Sequence, residues 1–202
     1  MALFYDDILS SSDDDDKMLN HVQRRPRIFR ERVNYFETMD DLDFFTRFRL
    51  TKITVETLLF QIEESLQHAT ERNNAIPSRI QLLLALRYYA TGSHLIAAGD
   101  FSGVSKTSAH RIVHRATAAI AGLAREDIKM PSTEAEVTAA QVDFYAIARF
   151  PKVISALDCT HVRVQSFGGD DAEVFRNRKG YFSINVQATC DSGMKFTSIV
   201  AR

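Results

Sequence analysis

Tryptophan is absent from this 202-residue chain, cysteine occurs twice and proline four times. Two cysteines, Cys159 and Cys190, are too few for a disulfide framework, so reduced, buried thiols and an intracellular protein are expected. No stretch approaches the eighteen or so apolar residues of a membrane span. The first twenty residues also lack the positive start, apolar centre and small-residue cleavage site of a secretory leader. Charge of one sign is missing too: 25 Lys and Arg against 26 Asp and Glu leave a net charge of −1. Global charge therefore supplies no argument for nucleic acid. No internal repeat is visible, and 45% hydrophobic content suffices for a packed core.

What is present is unevenly distributed. Six acids fall between Asp6 and Asp16, and Arg24, Arg25, Arg27, Arg30 and Arg32 lie within nine residues. The acidic stretch reads as solvated and disordered. The arginine cluster is compatible with nuclear import, a signal that is weak alone. Three regions follow: a charged, disordered arm over 1–40, a helical domain over 41–149 and a β region over 150–202.

The arm carries one short helical signal, near residues 33–36. In the helical region Val55, Leu58, Leu59 and Ile62 share one helix face. Asn73, Asn74 and Pro77 break that pattern. A second helix is expected from Ser78, as its cap, to about Ala90, stopped at Gly92. Thr133 and Glu136 make a capping box for a later helix with Val137, Ala140, Phe144 and Ile147 on one face, stopped by Pro151. Between these lies a helix over residues 93–101, a turn at Ser102, Gly103 and Val104, and a second helix capped by Ser105. Ala109, Ile112, Val113, Ala116 and Ile120 form its inward stripe. Lys106, His110 and His114 recur at spacings of four on another face, with Thr107, Arg111 and Arg115 beside them. Hydroxyl and basic side chains on the first turns suit the major groove and its flanking phosphates. The segment Gly103-Val104-Ser105-x-x-Ser108-x-x-Arg111 resembles the helix-turn-helix of bacterial and transposase DNA-binding domains. The competing reading is a helical hairpin with a solvated polar face.

The β region alternates strictly from Phe182 to Cys190, turns at Asp191, Ser192 and Gly193, and returns over 195–201. A first strand over 153–164 is more apolar at its start, as a central strand would be, and contains Asp158. Between the first two strands lies a polar loop with Arg176, Arg178 and Lys179, and one helical turn at residues 172–175. An acid inside an apolar strand needs a cation or donors to compensate it. Mg²⁺ or Mn²⁺ would demand such a carboxylate, although on the bare residues a strand-end aspartate facing solvent or a neighbouring arginine is the better-supported reading. Thr160, two residues on, is where exonucleases and Asp-x-Asp phosphatases would carry a second acid. His161 lies three residues from Asp158, hence on the opposite strand face, and is expected to hydrogen-bond within the structure. Asp170, Asp171 and Glu173 read as solvated.

FPKVISALDCTHVRVQ and AEVFRNRKGYFSINVQATCDSGMKFTSIVAR are together similar to the opening of the endonuclease domain in the PIF/Harbinger transposase-derived nuclease family. The region from Thr51 to Phe150 is similar to the family's helical half. This resemblance implies an α+β fold: a helical N-terminal region with a helix-turn-helix, then an incomplete ribonuclease-H-like antiparallel β-meander. It implies a metal-dependent DNA endonuclease with Asp158 as a catalytic metal ligand, and Mg²⁺ or Mn²⁺ as cofactor. The implied partners are double-stranded DNA, contacted by Lys106, Thr107, His110, Arg111, His114, Arg176, Arg178 and Lys179, and a Myb-like DNA-binding protein. A nuclear protein is expected, with the cytoplasm as a second location and no membrane. The family's Trp-Pro-Gly-Ser segment and later acids have no counterpart here. An N-terminal fragment inactive by itself is therefore expected, the alternative being a non-catalytic DNA-binding or regulatory protein derived from a decayed transposase.

Overall fold

The computed structural model describes residues 31–68, 74–166 and 168–202, apart from the side chain of Asp170. The acidic stretch and all of the arginine cluster except Arg32 lie outside these residues. Helices come first: α1 (Tyr35–Thr38), α2 (Asp41–Phe48), α3 (Lys52–Leu66), α4 (Ser78–Thr91), α5 (Leu95–Phe101), α6 (Lys106–Gly122), α7 (Ala124–Asp127) and α8 (Glu134–Ala148). Then come β1 (Ala156–Arg163), a 3₁₀ helix (Asp170–Phe175), β2 (Ser183–Cys190) and β3 (Phe196–Ala201). This is an α+β chain.

Helix α2 falls inside the region read as helical, but the sequence pattern assigns it no buried face. Asp40 caps this helix by accepting from the Asp43 amide at 2.7 Å, and Arg49 ends it in the left-handed region at φ 62°. Its buried residues, Phe44 and Phe48, lie four apart on one face. They join Tyr35, Phe36 and Phe101 in an aromatic cluster, with Tyr35 stacked on Phe101 at 4.4 Å and Phe44 against Phe48 at 4.6 Å. The Tyr35 hydroxyl donates to the Phe101 carbonyl at 2.6 Å. Burial holds its pKa above the usual tyrosine value, against the opposing pull of Arg47 and Arg87. In α3, Val55, Leu59, Ile62 and Leu66 are buried as one stripe.

Helix α4 is the most buried element, with Ile80 to Leu86 all enclosed. A helix apolar on every side belongs in the middle of a core. Its one enclosed amide is satisfied, Gln81 donating to the Ile76 carbonyl at 2.8 Å. Gly92 stops the helix at φ 57°, as expected. Ser78 is not the cap: Pro77 occupies that position with extended geometry, and the helix begins at Ser78 itself. The guanidinium of Arg32 ties the N-terminal segment to the turn before α4, donating to the carbonyls of Ala75 at 2.9 Å and Asn74 at 2.8 Å.

Helix α8 has its capping box. Thr133 accepts from the Glu136 amide at 3.2 Å, and the Glu136 carboxylate accepts from the amides of Thr133 and Ser132. The Ser132 amide, followed by the Thr133 amide and hydroxyl, holds the Glu136 carboxyl below its usual pKa. A carboxyl depressed on folding stabilises above its unfolded pKa and loses that contribution as pH falls through the folded value. Thr133→Ala is expected to cost about 1 kcal/mol of helix stability near neutral pH. That loss should shrink in acid, as read by circular dichroism melts at pH 7 and pH 3. The apolar face expected on α8 is not enclosed: Val137, Ala140 and Phe144 are half-buried, and Ile147 is exposed.

The three strands form an antiparallel sheet in the order β1-β2-β3, with Asp158 opposite Ala188 and His161 opposite Asn185. Among the described residues β1 is therefore an edge, not central, and it is exposed along its whole length. Its strand pairing begins at Ala156 rather than residue 153, after a turn with Lys152 at φ 62°. A bulge at Thr189/Cys190 marks the β2–β3 ladder, where Thr197 is buried and bonded to Thr189 at 2.9 Å. Both cysteines are free thiols, but Cys159 is exposed rather than buried, because it sits on the uncovered edge strand.

By internal contact the chain forms two units, one drawn from Met1–Leu59 and Gln67–Val113, the other from Phe60–Leu66 and His114–Arg202. The division runs through α3 and α6, within the region read as helical. Among the described residues no helix is long and apolar enough to cross a membrane.

Candidate functional site

Helices α5 and α6 meet at a tight turn built around two glycines. Gly103 holds φ 66°, which costs a side-chain-bearing residue energy, and the Val104 amide reaches back to the Gly99 carbonyl at 2.9 Å. At Gly99 the constraint is space: a Cβ there would stand 2.8 Å from the Val104 carbonyl oxygen and 3.5 Å from the Ala109 Cβ. Ser105 opens α6 by accepting from the Ser108 amide at 3.2 Å. Ala98, Val104, Ala109, Ile112 and Val113 pack with Leu84 of α4, and Ile76, Tyr88 and Leu95 close the rim.

That packing fixes which face of α6 is outward. Ala109, Ile112, Val113 and Ala116 of the expected stripe are buried and Ile120 is half-buried. Lys106, Thr107, His110, Arg111 and His114 are all exposed. Hydroxyl, imidazole and cationic groups thus share the solvent side of the helix, starting at its first turn.

Asp158 lies in β1 with its side chain exposed, one oxygen accepting from the Cys159 amide at 2.8 Å. Strand alternation groups it with Thr160 and Val162, and across the ladder with Ala188 and Ile199. This face is apolar apart from Asp158 and Thr160. No three His, Cys, Asp or Glu side chains converge to hold a metal ion among the described residues. Mg²⁺ takes six oxygen ligands in near-octahedral order. Asp158 can offer one carboxylate to such an ion, and the described residues do not compose the rest of a centre.

His161 is on the other face, where its Nδ1 lies 3.0 Å from the Ser183 hydroxyl. This is the internal hydrogen bond expected of it.

The basic loop is more ordered than its composition suggests. Arg176 pairs with Glu173 through two contacts of 2.7 and 2.9 Å, donates to the Gly180 carbonyl at 3.1 Å and lies over the Phe182 ring at 4.5 Å. Glu173 is therefore paired rather than merely solvated. Arg176 holds its carboxyl below the ordinary glutamate range, and the guanidinium pKa rises in return. Asp171 is exposed, as expected. Arg178 and Lys179 occupy the middle of a turn closed from Gly180 to Asn177, and both are exposed. Two groups stand out here that the residue pattern did not single out. Arg163 lies over the Tyr181 ring at 5.2 Å, and Ser183 is buried beneath the turn. The basic residue two positions after His161 was the available signal for the first. A serine at a nominally alternating strand position gave none for the second.

Comparison with known proteins bears on this arrangement. The chain is 37% identical over 127 residues to the rat protein named "Putative nuclease HARBI1" (Rattus norvegicus), a match covering 63% of this chain and 36% of the relative. It is 35% identical over 159 residues to the mouse protein of that name (Mus musculus), covering 72% and 45%. The chain is thus similar, over part of their length, to proteins named as Harbinger transposase-derived nucleases. The Xenopus laevis protein of the same name is 29% identical over 162 residues, covering 80% of this chain and 46% of the relative. A match of that length in a 202-residue chain necessarily includes residues 41–162, so α6 and Asp158 fall inside it. The chain thus spans less than half the length of these Harbinger-derived relatives. No protein-family model matches it, and no solved structure does.

Proposed function

We propose that this chain acts on DNA as part of a Harbinger-derived endonuclease. In this reading α5 and α6 are a helix-turn-helix that binds duplex DNA, and β1–β3 open a ribonuclease-H-like domain. The observation that carries the reading is the outward face of α6, where Lys106, Thr107 and Arg111 stand exposed beside a turn that admits only glycine at its tightest point. Cations there neutralise phosphates while hydroxyl and imidazole groups reach base edges. Arg178 and Lys179 supply further phosphate contacts, and Arg176 serves the loop's own structure. Asp158 contributes one carboxylate to a Mg²⁺ or Mn²⁺ site whose remaining ligands lie outside the described residues. When bound, that metal would stabilise the oxygens of phosphodiester cleavage. Nuclear location and a Myb-like DNA-binding partner accompany the same family reading.

Binding of a labelled duplex by the 202-residue chain, followed through a salt series, is the test. Lys106→Ala with Arg111→Ala should weaken binding and lower the log–log salt slope by about two, since each phosphate contact contributes about 0.9. Binding absent at every ionic strength, or a slope unchanged by the double substitution, would return α5 and α6 to a solvated hairpin.

A second reading, a DNA-binding protein without catalysis, is favoured by the lone carboxylate at Asp158. It expects no nicking of plasmid DNA by this chain with Mn²⁺. Nicking that disappears in Asp158→Ala would exclude it.

A further inference from the structure

We propose that His161 is a positioning residue for DNA contact, acting through Ser183 and Asn177 to hold the turn that presents Arg178 and Lys179. The proposal rests on the DNA reading above and adds a role that neither the strand aspartate nor the helix face supplies.

Asn177 organises that turn almost alone. Its side-chain oxygen accepts from the amides of Lys179 at 2.9 Å and Tyr181 at 3.4 Å. Its backbone carbonyl accepts from the Gly180 amide at 2.9 Å, and its own amide donates to the Tyr181 carbonyl at 2.9 Å. The same side chain is anchored at its other end, where Nδ2 donates to the Ser183 hydroxyl oxygen at 2.9 Å. Ser183 is 5% exposed and has His161 Nδ1 at 3.0 Å as its second partner. With its proton on Nε2, the ring accepts from the Ser183 hydroxyl at Nδ1 while that hydroxyl oxygen accepts from Asn177. The three side chains thus form a relay from β1, through the start of β2, to the tip of the turn. Polar networks of this kind rigidify what they connect when every member is satisfied.

Two further facts give the relay a purpose. His161 lies on the strand face opposite Asp158, so it is not aimed at an ion that Asp158 would hold. The turn it supports carries two exposed cations on long, rotamer-rich side chains. Such side chains give firm phosphate contacts only when the backbone under them is held, because ordering both at once costs more entropy. Arg163 over Tyr181 and the Glu173–Arg176 pair flank the same turn, and neither bonds to Asn177.

The experiment is a salt series of duplex binding by the full chain, with fold checked by circular dichroism melts. Arg178→Ala with Lys179→Ala should lower the salt slope by about two. His161→Ala should lower it by at least one although both cations remain, and His161→Asn, which keeps a polar atom where Nδ1 stood, should restore it. In the free protein His161→Ala should speed hydrogen exchange at the Lys179 and Tyr181 amides by about tenfold or more, as expected for losing ~1.4 kcal/mol of local protection. If His161→Ala fails to fold, Ser183→Ala carries the same expectations. A slope lowered by the Arg178/Lys179 pair but untouched in a folded His161→Ala chain would overturn the positioning role while leaving DNA binding intact. A slope untouched by the Arg178/Lys179 pair would instead remove the turn from the DNA interface, and the proposal with it.

Discussion

Phe48→Ala is expected to unfold the helical unit at a temperature on the order of 10 °C below the parent chain. The ring is 1% exposed, lies 4.6 Å from Phe44 and 6.1 Å from Phe101, and faces Tyr35 at 6.2 Å. Truncation removes the ring's burial energy and leaves a cavity among aromatic neighbours that cannot all move inward, at a cost of about 3–5 kcal/mol. In a chain of this length each kcal/mol shifts the melting temperature by roughly 2–4 °C. Phe45→Ala is the internal control, because Phe45 is 46% exposed one residue from Phe44. A melt in which Phe45→Ala costs as much as Phe48→Ala would show that α2 does not bury the face described. The stake is functional as well as structural. Phe101, against which this cluster packs, is the last residue of α5, so loosening the cluster loosens the helix that supports the turn into α6.

Gly99→Val should separate α5 from α6 and reduce duplex binding at least tenfold, with much of the helical content retained. Even one added carbon would meet the Val104 carbonyl oxygen at 2.8 Å, closer than a carbon tolerates, and valine brings two more. Backbone on the far side leaves nothing flexible to give way, so the cost falls at or above the upper end of the ~1–3 kcal/mol typical of overpacking. Gly122→Ala is the contrast, since a Cβ there would meet nothing within 4 Å. It lies in the last turn of α6, where alanine is the better helix former by up to ~1 kcal/mol. If Gly99→Val bound duplex as tightly as the parent chain, the outward face of α6 would not depend on this turn. The DNA reading would then need another surface.

The local chemistry of this chain was open to inspection in its residues. The burial of Ala109, Ile112, Val113 and Ala116 follows from their spacing. The Gly92 stop, the Ser105 cap and the Thr133–Glu136 box follow from residue types whose backbone bonding is local. The alternation around β2 and the turn at Asp191 follow in the same way, since Asp191 closes that turn on the amides of Gly193 and Lys195. Each of these is decided within a few residues.

Contacts between distant residues were not legible. The buried face of α2 is not assigned by the sequence pattern because it is only two phenylalanines, whose partners Tyr35 and Phe101 arrive from other elements. Glu173 reads as a solvated charge and Arg176 as a DNA contact until the 3₁₀ turn brings the two side chains together. Val137, Phe144 and Ile147 have helical spacing, but spacing says only that a face exists, not that anything covers it. The sequence alone therefore determined where helices start and stop, which face of α6 turns outward and the family to which the motifs point. Tertiary structure decided which cations are engaged, that His161, Ser183 and Asn177 meet, and that Asp158 stands on an open strand. Hydrogen bonds between residues 22 apart depend on the pairing register of two strands, and that register is a property of the folded sheet rather than of any one segment.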